Sequence, residues 1–505
     1  MRDDYFPTSD APEDLCEANQ GANQDASRRT FLRSGVSLAV AGGIAAGMPG
    51  SAPAQGITAA DSDPLLRRLQ SQRRFLLRGG IVMSLDRRIG DFAQADLLVE
   101  DGKIRELRPS IAVGDDTPVI EATNKIVIPG FVDTHSHSYQ GLLRDIMPNG
   151  LLSPDYNRDV QTLLTPAYEP DDAYAGELVN ALGLIDMGTT TVVDISQVSH
   201  SPEHSDACIR ALQESGIRAV FSYHRGAGPR ARFPQDITRL QRTYFNTKDQ
   251  LLTLALTTSL DPKLYAVARE ADVPAVLHLV GKDLSEKLLQ LGQSGLLRPG
   301  DEYIHCLGLN DAAWRLMKDT GGHVSICAQI DMMMGHGTPT IQEALDHGFR
   351  PSLSTDHGVE IAQDFFSVMR STLMFQRWQL LQRARNGEQN LPPLLTCRDM
   401  LEFATIEGAR CANLERRIGS LSPGKDADIL LLSTDRPSVW PLNNAPGVVV
   451  NMMNPGHVDT VIIAGKIRKW RGALVGIDLS RVQRRVQKAR DAVMRRVGFA
   501  VGEFG

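Results

Sequence analysis

The central part of the chain alternates short apolar runs with amphipathic stretches. Eight of the runs read as strands: residues 126–133, 189–196, 218–224, 251–259, 274–280, 302–308, 323–329 and 350–356. Most lack the strict apolar/polar alternation of a half-exposed strand, a pattern that suits strands covered on both faces. Between most of them lie helical patterns such as "SPEHSDACIRALQESG" and "NDAAWRLMKDTGG", each opened by a polar cap and closed by glycine. Eight such strands alternating with helices predict an α/β fold, closed as a (β/α)8 TIM barrel. The competing architecture is an open doubly wound sheet, but no GxGxxG fingerprint follows the first strand. The first connection, residues 134–188, is long enough to carry a lid over the barrel mouth.

The two ends of this region have a different style. "RFLLRGGIVMSLD", "ADLLVEDGKIREL" and "VIEATNKIVIPG" read as short strands with tight turns such as Asp101-Gly102. "GKDADILLLS" and "VDTVIIAGKIRKWRGAL" repeat the style, with a turn at Gly465. Both ends are therefore expected to build one β-sandwich flanking the barrel. The expected organisation is sandwich over 75–128, barrel over 129–415, sandwich again over 416–475 and a C-terminal helix over 476–505. In that helix, "VQRRVQKARDAVMRRV" sets basic positions against apolar ones, the mark of a solvated face. The other face can pack on the barrel or on a second subunit of a homo-oligomer.

Composition narrows the function classes. The chain has 505 residues, 42% hydrophobic and 23% charged, with a formal net charge of -6. That is ordinary globular composition, and without a basic stripe interleaved with aromatics it excludes nucleic acid as a partner. Six cysteines in a chain of this length make no disulfide framework, and none forms a CxxC pair. Cys306 and Cys327 fall inside apolar runs and read as buried thiols. The N-terminal "SRRTFLRSGVSLAVAGGIAAGMPGSAPAQ" carries Arg28 and Arg29, then Phe31 and Leu32, a mild apolar stretch and "APA" ending at Ala54. This resembles a twin-arginine export signal. The apolar stretch is too short and too rich in glycine to span a bilayer. The resemblance implies a signal peptide over residues 1–54, the twin-arginine export machinery as a partner, and a mature protein in the periplasm or outside the cell.

Barrel enzymes work at the C-terminal ends of their strands. His135 and His137 end the first strand in "PGFVDTHSHS", His278 the fifth in "AVLHLV", His305 the sixth in "YIHCLG", and Asp356 the eighth in "SLSTDHG". Alternate residues of a strand face the same side, so both rings of the HxH pair aim together. Imidazole with carboxylate suits one divalent metal ion, zinc first, with iron or manganese as alternatives. Each piece alone has an ordinary explanation: a polar strand end, a core histidine, a helix cap. Their conjunction at one mouth favours the metal.

With those residues in place, "PGFVDTHSHSYQGLLRD", "HLVG", "HCLGLNDAAWRLMKDTGGHVSICAQ" and "STDHG" resemble the amidohydrolase superfamily, in particular its cytosine-deaminase-like branch of deaminases and triazine chlorohydrolases. The tail "SLSPGKDADILLL" fits the same pattern, and the resemblance runs over roughly residues 75 to 475. It implies a single metal held by His135, His137, His278 and Asp356, with a bound water as nucleophile. Asp356 would also take the proton of that water, and His305 would lie beside it without binding the metal. The implied substrate is an N-heterocycle, cyclic amidine or cyclic amide that loses amine, chloride or a ring C–N bond. Two departures qualify this. Deaminases of the branch carry a glutamate three residues after the fifth-strand histidine, where this chain has Gly281, and the fourth strand, "LALTTSLDP", lacks the histidine of nucleoside-deaminating members. Both point away from purine nucleosides and towards a substrate with a good leaving group, unless another acid serves. His336, His357 and His224 are candidates for that acid or for substrate contacts, with Gln140 as a further contact. Arg144, Arg225 and Arg230 could meet an anionic group, although solvated arginines are the simpler expectation. The missing glutamate also leaves a second reading, a non-catalytic barrel that binds a small molecule.

Overall fold

The computed structural model describes residues 62–502, apart from 248–249, 282 and 501. The expected signal segment lies outside the described residues. Eight parallel strands follow one another round the barrel in chain order: Phe131–Ser136, Thr189–Ser196, Arg218–Tyr223, Leu252–Thr257, Ala275–His278, Glu302–Ile304, His323–Ile326 and Ser352–Leu353. A parallel bridge between Ser136 and Asp356 brings the last strand back to the first. His137 N–H donates to the Asp356 carbonyl at 2.8 Å, and Asp356 N–H donates to the His135 carbonyl at 2.9 Å. The seam of the barrel is thus sewn by the residues expected to hold a metal.

The first strand differs from the expected run over 126–133. The chain divides at Gly130: Lys125–Pro129 pairs with Ile429–Ser433 in the flanking sheet, while Phe131–Ser136 pairs with Thr189–Ser196 in the barrel. A Cβ at Gly130 would stand 2.1 Å from Thr190 Oγ1, so only glycine lets the chain cross between the two layers here. The sixth and eighth strands also stop earlier than expected, because the backbone turns left-handed at their ends. His305, Cys306 and Asp356 have φ of 64°, 57° and 63°. Such conformations cost about 1–3 kcal/mol each in non-glycine residues and gather where a side chain must be re-aimed.

The helices follow their expected punctuation. Pro202–Ser215 ends on Gly216 at φ 71°, and Asp311–Asp319 starts under Asn310, whose side chain accepts from Ala313 N–H. The long first connection folds into Ser138–Leu143, Leu152–Leu164 and Pro170–Asp186. The C-terminal helix, Leu479–Val497, buries Ala489, Val493 and Met494, and Arg496 pairs with Asp172 of the Pro170–Asp186 helix. It therefore docks on the barrel of its own chain. Among the described residues no helix is long and apolar enough to cross a membrane.

Both ends of the described chain meet in one mixed nine-stranded sheet. Strands from 74–129 pair with strands from 429–474 through Lys125–Pro129 and Ile429–Ser433, over a core that includes Val99, Val127, Leu431 and Ile462. Its hairpins turn at Asp101-Gly102 (φ 52° and 79°) and Ala464-Gly465 (φ 47° and 74°). Paired left-handed residues give the turn whose twist matches that of the flanking strands. The sheet is bolted to the barrel by Arg218. This fully buried guanidinium on the third barrel strand donates to Asp428 at 2.9 and 3.0 Å and to Asp426 at 3.0 Å. Removing one side of a buried ion pair leaves the other side's charge without compensation, at a cost of about 3–5 kcal/mol. Arg218→Ala should therefore lower the unfolding free energy by about that amount in urea titration. A loss below about 1 kcal/mol, the scale of an exposed pair, would show that the cluster does not couple the layers.

Candidate metal centre

The HxH pair follows from strand geometry. His135 and His137 point to one side with ring centroids 4.7 Å apart, while the intervening Ser136 faces away, where its Oγ accepts from Gln363 Nε2 at 3.0 Å. His278, the last residue of the fifth strand, brings its ring to 4.7 Å from His135 and 5.6 Å from His137. One ring nitrogen of each of the three lies within 4.8 Å of the others. The left-handed turn at Asp356 swings its carboxylate into the same space, with Oδ1 3.1 Å from His135 Nε2 and 3.4 Å from His137 Nε2. His305 Nε2 stands 3.6 Å from the other oxygen, Oδ2.

The donors fit a divalent cation. Nδ1 of His135 and Nε2 of His278 are buried with no hydrogen-bond partner among the described residues. Orphaned buried polar atoms of this kind cost about 1–3 kcal/mol each, so a cluster of them is unusual unless something binds there. Burial holds the His135, His137 and His278 pKa values below the ordinary imidazole value, which keeps them neutral as metal ligands must be. Burial alone would raise the Asp356 pKa, but the imidazole of His357, whose own pKa is raised, and the ring of His135 at hydrogen-bond distance outweigh it and keep the carboxyl well below its ordinary value. Three imidazoles and a carboxylate are a zinc-type donor set.

The other expected residues divide. His357 is buried, stacks on Tyr156 at 4.9 Å between centroids, and sets Nε2 3.8 Å from Asp356 and Nδ1 3.1 Å from Glu360. His336 lies behind His305, with its ring centroid 5.2 Å away. His224 lines a cavity of about 930 Å³ at the barrel mouth, together with His278, Gln197, His200, Arg225 and Thr258. Burial pushes its pKa down to about 4. Gln140 is fully buried, and its Nε2 donates to the hydroxyls of Tyr139 and Tyr156, so it orients that aromatic wall. Arg144 donates to the Val179 carbonyl, Arg230 stands 3.9 Å from Glu169, and of the three arginines only Arg225 lines this cavity.

Other residues were not singled out by the sequence. Asp331 binds the back of His305, with its Oδ1 accepting from Nδ1 at 2.8 Å. His200 joins two walls of the cavity: its Nδ1 accepts from Ala227 N–H at 2.8 Å, which leaves Nε2–H to donate to the Thr165 carbonyl at 2.9 Å. Glu177 and Asp194 form a fully buried carboxyl pair beside the first strand. Asp194 accepts from Ser138 N–H at 3.0 Å, and the Glu177 carboxyl shares a hydrogen bond with Asp194 and faces the Cys208 thiol. For these residues the sequence carries at most a polar letter inside an apolar run.

The family model of the amidohydrolase family matches residues 126–468, more than half of the chain. The chain belongs to the amidohydrolase family. It is 27% identical over 411 residues to the 5'-deoxyadenosine deaminase of Methanothermobacter thermautotrophicus, a match that covers 76% of this chain and 91% of that protein. It is 27% identical over 431 residues to a 5-methylthioadenosine/S-adenosylhomocysteine deaminase of Symbiobacterium thermophilum, covering 78% and 93%. Among solved structures, it resembles a zinc-bound adenosine deaminase from Xanthomonas campestris, with TM-score 0.73, 18% identity, and 83% and 98% of the two chains covered. It also resembles an atrazine chlorohydrolase from Arthrobacter aurescens TC1 complexed with zinc, with TM-score 0.73, 19% identity, and 82% and 100% covered. Those structural likenesses establish the barrel fold. Family membership makes this amidohydrolase a hydrolase.

The Glu177–Asp194 pair should make the stability of this amidohydrolase depend on pH. Burial holds the Glu177 carboxyl well above its ordinary value and pushes Asp194 up to about 6. The folded chain thus keeps a proton that the unfolded chain loses near pH 4, roughly the ordinary carboxyl range. The pair's contribution is full below that range and is lost as pH rises through the folded values. Glu177→Gln replaces the shared proton with a permanently neutral amide. Between about pH 5 and pH 8 its unfolding free energy should fall less than that of the unsubstituted protein, by roughly 1.4 kcal/mol per unit of pKa displacement. Parallel pH profiles in urea titration would show that the two carboxyls do not share a proton.

Proposed function

We propose that this amidohydrolase hydrolyses an electron-poor carbon of an N-heterocycle, cyclic amidine or cyclic amide, displacing an amine or a halide or opening a ring C–N bond. One observation carries the reading: a buried carboxylate, Asp356, ringed by His135, His137 and His305 where the barrel opens, next to a cavity of about 930 Å³. His135, His137, His278 and Asp356 are the residues that would hold the ion, with zinc first among the candidates. When bound, a divalent ion supplies Lewis acidity, the means by which such centres make water nucleophilic near neutral pH. The protein's own groups do the rest. Asp356 Oδ2 accepts a proton from the attacking water and returns it to the leaving group, so that R–X and water become R–OH and HX. His305 Nε2, 3.6 Å from that oxygen, orients the water. Tyr156 and His357 form an aromatic wall beside Asp356.

The substrate class follows from what position 281 lacks. Position 281 is a glycine at φ 135°, with no side chain, so no acid reaches the substrate from it. A carbon bearing chloride or another good leaving group is therefore favoured. The relatives named for 5'-deoxyadenosine and 5-methylthioadenosine deamination keep aminopurine nucleosides in the test panel. The expected experiment pairs metal analysis with a panel of chlorotriazines, aminotriazines, aminopurine nucleosides and cyclic amides, read as release of chloride, ammonia or a ring-opened acid. The protein should hold about one equivalent of divalent metal, lose turnover on chelation and regain it with zinc. His305→Ala and Asp356→Ala should each lower kcat by at least about 100-fold. Turnover indifferent to chelation and to both substitutions would contradict the mechanism; bound ligand with no turnover anywhere in the panel would favour the non-catalytic barrel. Export through the twin-arginine route is proposed on Arg28, Arg29 and the small residues ending at Ala54 alone. A secreted protein whose N-terminal sequence begins near Gln55 would support it, and an intact Met1 in the cytosol would overturn it.

A further inference from the structure

One segment builds the surroundings of His305. After the seventh strand ends at Ile326, the chain forms a short helix, Ala328–Met333, and returns through Gly335 and Gly337 (φ 68° and 153°) to Thr340. Along this path it holds His305 at three places. Asp331 Oδ1 accepts from Nδ1 at 2.8 Å, the His336 ring packs edge-on at 5.2 Å, and Thr340 Oγ1 donates to the His305 carbonyl at 2.6 Å. The seventh strand adds a fourth hold, where the Ser325 carbonyl accepts from His305 N–H at 2.9 Å. These contacts fix a residue whose backbone is left-handed, at φ 64°.

The Asp331 contact also decides a proton position. An aspartate oxygen facing an imidazole nitrogen at hydrogen-bond distance accepts, so Nδ1 carries the hydrogen, and the neutral ring then has its lone pair on Nε2. Asp331 is itself fully buried and anchored, with its N–H donating to the Cys327 carbonyl at 2.9 Å and its carbonyl accepting from His336 N–H at 3.0 Å. His336 Nδ1 lies 3.4 Å from the same Oδ1, so two imidazoles flank one oxygen.

We infer that Asp331 is a positioning residue that locks His305 in its Nδ1–H tautomer, so that the ring presents the lone pair of Nε2 to the attacking water. The inference rests on the hydrolytic reading of this site, and it assigns His305 a direction: in its neutral form the ring takes a hydrogen bond from the water and does not give one. A buried carboxylate that orients a histidine in this way acts only through that histidine.

The test uses the full zinc-loaded chain labelled with nitrogen-15 histidine, with the His305 resonances assigned by difference against His305→Ala. Long-range proton–nitrogen correlation reads the tautomer directly. The expected result is Nδ1–H in the unsubstituted protein and its loss in Asp331→Ala. That loss should come with a fall in kcat of about 100-fold or more on whichever panel substrate turns over, a KM within about threefold, and unchanged zinc content. Asp331→Asn, which has the same size, should not restore kcat wherever its amide donates to Nδ1 and imposes the opposite tautomer; restored kcat with the tautomer lost would mark Asp331 as a space-filling residue and overturn the inference. Three further results would overturn it: Nε2–H in the unsubstituted protein, full kcat in a folded Asp331→Ala, or zinc content lowered by Asp331→Ala, which would make Asp331 part of a metal site. If no substrate is turned over, the tautomer readings in the unsubstituted protein and in Asp331→Ala still decide this inference, while the proposed function fails by itself.

Discussion

Asp356 is a carboxylate almost without solvent, and the barrel closes around it. Taken alone, such a charge in an apolar interior would protonate or unfold its surroundings. Here imidazole nitrogens of His135, His137, His305 and His357 lie within 3.8 Å of its oxygens. Its own backbone completes the join between the last strand and the first. The residue whose side-chain charge suits a cation therefore also seals the fold through its backbone.

That arrangement depends on backbone conformations that ordinary residues avoid. His305 and Asp356 both adopt left-handed φ at strand ends, and each is held there by bonds from neighbouring strands. Precision at the site comes from rigid strands, whereas the cavity walls come from loops. His200 ties two of those walls together, between Thr165 and Ala227. On the opposite side, Arg218 with Asp426 and Asp428 fixes the barrel to the sheet, so the site sits in a frame held at both ends.

Much of this was legible in the chain because burial writes itself into composition. The eight barrel strands could be located from their apolar runs, and the HxH, His278, His305 and Asp356 could be located from their places at the ends of those runs. The break at Gly130 was not legible, because Lys125–Pro129 and Phe131–Ser136 read as one apolar run while belonging to different layers. A glycine there looks like any other turn residue until Thr190 is seen against it. Asp331 was missed for another reason. Its partner His305 is 26 residues away, and an aspartate within "QIDMMMGHG" carries no local pattern that distinguishes a buried acceptor from a surface charge. Gln140, three positions after the HxH, shows the same limit: its sequence position did not reveal that its amide nitrogen donates to Tyr139 and Tyr156. Long-range partners, not residue types, separate these cases.

The most direct measurement is anomalous X-ray scattering at the zinc edge on crystals of zinc-loaded protein. The expected result is a single strong peak bounded by His135, His137, His278 and Asp356. A peak elsewhere, or one that leaves Asp356 or His278 out of contact, would contradict the assignment of this barrel mouth as a metal-dependent hydrolytic centre.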